Sequence, residues 1–172
     1  MAASLALGTT CRISGAHNRS VEVLGKGLDV TKRYAVPVWT TPLQASLGIA
    51  LVRAGEIQAG HTQLARALEV SEELGIAFFR SNAALWLAET ELLAGELSRA
   101  ERRLADLHRE LARSKERGLE AYAWLLTGSV ALARGESSSC VRDAFERARS
   151  LALDRLMLPL VAECDQALEG RS

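Results

Sequence analysis

Residues 47–64 read Leu47-Gly48-Ile49-Ala50-Leu51-Val52-Arg53-Ala54-Gly55-Glu56-Ile57-Gln58-Ala59-Gly60-His61-Thr62-Gln63-Leu64, and two helical stripes meet within them. Leu43, Leu47, Ala50, Leu51 and Ala54 recur at helical spacing and stop at Gly55. A second apolar stripe then runs through Ile57, Gly60, Leu64, Ala67, Leu68 and Leu74 to Gly75. A glycine where a stripe stops can adopt the left-handed conformation that closes a helix C-terminus. Glu56, next in line, is placed near the positive end of the following helix dipole. The stretch predicts two antiparallel helices joined by a tight turn. Gly48 and Gly60 fall on opposite helices at matching distances from that turn, where the two backbones must approach closely.

The same turn recurs through the chain. Glycine stands at positions 15, 55, 95 and 135, a constant spacing of 40 residues. At ordinary glycine usage of ~7%, three further in-phase hits are about a 1 in 3000 accident. Other columns agree with the phase. Eight residues before each glycine stand Leu7, Leu47, Leu87 and Thr127, followed by Gly8, Gly48, Ala88 and Gly128. Five residues after it stand the small residues Ser20, Gly60, Ala100 and Cys140, and nine after it Leu24, Leu64, Leu104 and Ala144. A fixed period of this length signals stacked supersecondary units, each burying its apolar face on its neighbours.

The whole chain, 1–172, therefore reads as a single all-α repeat domain of nine helices and no sheet. Its units span about 1–36, 41–76, 79–118 and 119–153, with a C-terminal capping helix over 156–169. Pro37 and Pro42 break helix continuity between the first two units. The second helix of the third unit is expected to run one turn longer and to close at Gly118. In the last helix Pro159 is tolerated in the first turn, and Leu160, Val161, Cys164, Ala167 and Leu168 share one face.

This pattern resembles the tetratricopeptide repeat (TPR) family over essentially the full chain. The features that carry the resemblance are the Leu47-Gly48 pair, Gly55 at the turn, Gly60 early in the second helix and Leu64 four residues later, with the same columns in the other units. Two departures stand out: the period is 40 rather than about 34, and no proline closes each unit. Longer repeats of this kind resemble those of bacterial signalling ATPases, transcription regulators and nucleotide cyclases. The resemblance implies a TPR-like solenoid, a right-handed superhelix of about four hairpins plus the cap. It also implies that the first helix of each unit lines a concave groove that receives a peptide or protein. Carried over to this sequence, the polar groove candidates are Thr9, Arg12, Arg53, Asn82, Glu89, Tyr122 and Ser129. Ile49, Val52, Leu85, Leu92, Leu125 and Leu132 are interleaved with them as an apolar floor. Arg53 is singled out because Ile13, Leu93 and Ala133 occupy its column in the other units.

No constellation of residues suggests catalysis, a cofactor or a metal. His17, His61 and His108 occupy different columns, have no metal-spaced partner and read as solvated helix residues. Gly25-Lys26-Gly27 lacks the upstream glycine and the following Ser or Thr of a phosphate loop and lies within a helix. Ser137, Ser138 and Ser139 sit at a helix start and read as caps. Cys140, in the small-residue column, reads as a buried structural thiol. Arg102 with Asp106, Arg142 with Glu146 and Asp143 with Arg147 are placed for i,i+4 pairs.

Bulk composition narrows the function classes. With 21 basic and 21 acidic residues, the balance argues against a partner bound through phosphate contacts, although Arg12, Arg19, Lys26, Lys32 and Arg33 make the first 35 residues locally basic. Three cysteines without a CxxC pair fit a reducing cytoplasm. No run approaches 18 consecutive apolar residues, so no membrane span is expected. Met1 opens directly into a helix without a polar cap. This leads to the expectation of a piece of a longer protein, with an upstream domain as partner, or of a homodimer through the uncapped first hairpin. The function expected is a non-catalytic protein-interaction scaffold. The alternative is a regulatory segment acting in cis with a missing ATPase, cyclase or regulator domain.

Overall fold

The computed structural model describes residues 1–77 and 79–169. Nine α-helices account for nearly all of the described residues, and no strand occurs among them: α1 (Ala2–Ile13), α2 (His17–Arg33), α3 (Thr40–Arg53), α4 (Ile57–Glu73), α5 (Arg80–Leu93), α6 (Leu97–Ser114), α7 (Arg117–Ala133), α8 (Ser138–Leu153) and α9 (Leu158–Glu169). A single 3-10 turn, Pro37–Trp39, fills the proline-marked gap before α3. The all-α class of helical hairpins is thus the observed one.

The 40-residue glycines perform the task their spacing implies. Gly15, Gly55, Gly95 and Gly135 all have positive φ, +92° at Gly55. After α3 the Gly55 N–H donates to the Val52 carbonyl at 3.0 Å, and the Glu56 N–H to the Leu51 carbonyl at 2.9 Å. Those two bonds are the paired closure that satisfies carbonyls orphaned at a helix end. Gly135 and Glu136 repeat them on Leu132 and Ala131. The close approach inside the second hairpin is also present. A Cβ placed on Gly60 would lie 2.4 Å from Val52 Cγ2 and 2.6 Å from the Gly48 carbonyl oxygen.

The third hairpin closes differently from the expectation. Lys115, not Gly118, takes the left-handed conformation after α6, with φ 60°. Its N–H donates to the Leu111 carbonyl at 2.9 Å. Gly118 lies inside the first turn of α7. The turn from α6 to α7 is therefore shorter than the glycine suggested, and α7 gains a turn at its N-terminus.

The fourth hairpin slips by one residue. Helices α2, α4 and α6 begin two residues after their turn glycine, whereas α8 begins at Ser138, three after Gly135. The buried positions of α4 are Gly60, Leu64, Ala67, Val70 and Ser71. Those of α8 include Val141, Phe145, Ala148 and Ala152, one place later than the 40-residue phase predicts for Gly60, Leu64, Ala67 and Ser71, while Ala144, in the unshifted column of Leu64, is buried beside Phe145. The buried-thiol reading of Cys140 is accordingly wrong. The inserted residue rotates Cys140 out of the interface, and the thiol is exposed. The Ser137 hydroxyl does cap α8, accepting from the Cys140 N–H at 3.5 Å.

The chain forms two compact units, Met1–Ala94 and Gly95–Ser172. In the first, Leu24, Leu28, Leu43 and Ala50 make one core cluster. Ile49, Val52, Leu64, Ala83 and Leu87 are the larger part of another. In the second, Leu125, Val141, Phe145, Leu160, Val161 and Cys164 form the core, with Leu168 packed against it. α9 thereby covers α8 with the face read from the sequence. Burial also pushes the Cys164 thiol up to about 11.

Candidate functional site

Three first helices of the repeat share a surface in the first unit, where α3 packs against both α1 and α5. Arg12, in the last turn of α1, sets its guanidinium 5.5 Å from the centre of the Trp86 ring on α5. Arg53, ending α3, pairs with the Glu89 carboxylate on α5. Trp86 and Glu89 are i,i+3 neighbours, so both contacts lie on the same face of α5. Thr9 stands i,i+3 from Arg12 and Asn82 i,i+4 from Trp86, within one helical turn of these contacts. All six side chains remain at least partly accessible. Both arginines lie at helix C-termini, where the helix dipole favours positive charge.

Of the seven sequence candidates, Arg53 and Glu89 pair directly, Arg12 reaches the same face of α5 through Trp86, and Thr9 and Asn82 stand one helical turn from Arg12 and Trp86. Tyr122 and Ser129 lie on α7 in the second unit. Tyr122 is 40% exposed, and the Ser129 hydroxyl donates to the Leu125 carbonyl at 3.0 Å. The charge at Arg53 has a plain explanation. Ile13, Leu93 and Ala133 of its column are also exposed, so the column is a solvent-facing one, and Glu89 supplies a counter-charge. Trp86 is the residue of this surface that the sequence alone did not point to. Its signal was a partly buried tryptophan beside the core position Leu87, tilted against Phe79 at 5.8 Å.

The apolar floor does not form as expected. Ile49, Val52, Leu85 and Leu125 are buried and serve helix packing. Leu132 is half exposed. The histidines are not solvated either: His17, His61 and His108 are all half-buried. His61 Nε2 lies 4.0 Å from the fully buried Glu91 carboxylate. Asp106 pairs with Arg109 instead of Arg102, and Arg147 lies over the Trp124 ring. Among the described residues no helix is long and apolar enough to cross a membrane.

No family model matches the sequence, and no characterised protein matches it at the level of sequence. Solved structures do match. The apo form of RapI aligns with 97% of this chain and 68% of its own, at a TM-score of 0.72 and 14% identity. A kinesin light chain candidate from Podosopora anserina with nearly identical TPR-like repeats aligns with 98% of this chain and 87% of its own, at 0.70 and 15%. A glutamine-to-methionine variant of that protein aligns with 98% and 86%, at 0.71 and 15%. With this level of structural agreement over nearly every residue, the fold is that of a TPR-like helical repeat protein.

Proposed function

We propose that the chain is a non-catalytic interaction scaffold, a single helical-repeat array whose α1–α3–α5 face receives a peptide or a segment of a partner protein. The convergence of Arg12 with Trp86 and of Arg53 with Glu89 on one accessible surface carries this reading. Arginine and tryptophan are the side chains most enriched among energetically dominant interface residues, because each combines a large contact area with a polar group. The resemblance to TPR-like structures supports the same use of first helices. Because Ile49, Val52 and Leu85 are buried, the ligand side chains meet a ring, guanidinium groups and amide or hydroxyl groups rather than an aliphatic floor. An acidic side chain on the ligand suits Arg12 and Arg53 best, replacing Glu89 on the latter. Cytoplasmic residence agrees with the three unpaired thiols.

The test is affinity capture from host lysate with wild-type chain and a Trp86→Ala, Arg12→Ala bait of equal helicity. A protein enriched by the wild type and lost with the variant supports the reading. Equal recovery by both baits would move the contact off this face.

One observation favours the second reading, a segment acting in cis with an ATPase, cyclase or regulator domain or pairing with its own kind. Leu7, Ile13 and Tyr34 of the first hairpin are 50%, 75% and 66% exposed. Sedimentation of the purified chain across a concentration series separates self-association from a contact with another domain.

A further inference from the structure

The second unit holds a pocket of its own. It opens between the second helices α6 and α8, is floored by α7, and has a volume of about 430 Å³. Small-molecule sites commonly run from ~300 to ~1,000 Å³ with mostly apolar walls and a few placed polar groups. Leu104 and Ala105 of α6, Trp124 and Val130 of α7 and Ala144 of α8 supply such walls.

The polar groups at its rim are mostly acceptors. Three carboxylates line it, from Glu101, Glu136 and Asp143. A single guanidinium serves two of them: Arg134 reaches Glu101 at 2.7 Å and Glu136 at 3.5 Å. Glu136 also accepts the Cys140 thiol at 3.4 Å. The other arginine at the site, Arg147, lies over the Trp124 ring at 4.4 Å. The site therefore carries three negative charges against two positive ones, and one of the positive charges is engaged by an aromatic face.

His108 lines the same pocket. The Thr127 hydroxyl lies 2.9 Å from the Ala123 carbonyl, to which it donates, and 3.0 Å from His108 Nε2. Burial lowers the pKa of the ring, which favours the neutral form.

We infer that this pocket binds a small organic cation, an ammonium or amidinium group on a compact apolar body. The body fits the Leu104, Val130, Ala144 and Trp124 walls, and the donor-rich head meets the carboxylate rim. An anion of the same shape would face three carboxylates, and a neutral analogue would leave the rim charge uncompensated.

Benzamidine, with benzamide and benzoate as neutral and anionic counterparts, tests this on the full chain. Amide shifts in a ¹⁵N–¹H titration locate binding, and mass spectrometry follows iodoacetamide labelling of Cys140, which lines the pocket. Benzamidine should shift the amides of His108, Thr127 and Cys140, slow labelling of Cys140, and bind at least about tenfold more tightly than either counterpart. Glu101→Gln with Asp143→Asn should remove about tenfold of that affinity. Ala105→Phe, at an exposed helical position, should block the pocket while leaving helicity unchanged. Equal binding of benzamide, preference for benzoate, shifts confined to other residues, no binding at all, or insensitivity to both variants would each overturn the assignment.

Discussion

Arg53, the last residue of α3, is held by Glu89 on α5, 36 positions further along the chain. This pair ties two first helices together across the surface proposed for a partner. It is half in solvent, with side-chain exposures of 42% and 19%. Its net contribution should therefore be modest, about 0.2–1 kcal/mol by a double-mutant cycle of Arg53→Met and Glu89→Gln. Arg53→Glu should be worse than Arg53→Met, since it sets two carboxylates against each other. Urea titration of the four proteins checks this, and strict additivity would show that the pair has no energetic role.

Two glycines, each inside the second helix of its hairpin, should respond oppositely to alanine. Gly60→Ala drives a Cβ into the Gly48 carbonyl oxygen, a backbone atom that cannot rotate aside. A loss of roughly 1–3 kcal/mol is expected from this overpacking. Gly25, inside α2, has no atom within 4 Å of where its Cβ would lie. Gly25→Ala should stabilise by ~0.5–1 kcal/mol by removing backbone freedom from the unfolded chain. Denaturant midpoints that move in the same direction would contradict the close contact of α3 with α4.

The α6–α7 turn offers a sharper discrimination. Lys115 holds a left-handed conformation that costs a side-chain-bearing residue about 1–2 kcal/mol. Lys115→Gly should therefore raise stability by ~1 kcal/mol. Gly118, helical and uncrowded, should accept alanine with a gain of ~0.5–1 kcal/mol. If Gly118 closed the helix instead, its alanine variant would be the strained one and would lose stability on thermal melting.

His108 predicts a pH response. Burial lowers its folded pKa below the ordinary 6.5, with Arg147 adding a smaller push in the same direction and Glu120 opposing. The stability associated with the neutral ring is fully present above pH 6.5. It is lost as acid protonates the unfolded chain first and the pH then falls through the lowered folded value. Wild type should thus weaken more steeply between about pH 7 and pH 5 than His108→Gln. Parallel stability profiles for the two proteins would place the ring in ordinary solvent.

The repeat was legible because its signals are local. Left-handed turns need Gly15, Gly55, Gly95 and Gly135, and the close contact of α3 with α4 needs Gly48 and Gly60, whatever the partner helices do. What escaped detection depends on phase or on distant neighbours. The serine run before α8 hides one extra residue, so a column rule that is right for Gly60 and Ala100 fails for Cys140. Lys115 occupies a conformation that its residue type disfavours, while Gly118 nearby offered a more inviting stop. Thr9, Arg12, Arg53, Asn82 and Glu89 were accessible to a reading of the sequence, since first-helix positions follow from the period. Trp86 was not, because only the fold brings Arg12 next to it. The pocket bounded by His108 and Trp124 likewise needs three helices to exist.

Within each unit every helix packs against its immediate successor or the one after it: α1 with α2 and α3, α3 with α4 and α5, and α7 with α6 and α8. The contact order is accordingly low, so little loop-closure entropy opposes assembly and folding falls in the fast range for helical proteins. A ribosome-bound chain can complete α1 to α3 before α6 has been synthesised. Damage to one hairpin also stays largely in that hairpin and its neighbours, so different probes should report different unfolding midpoints rather than one cooperative loss.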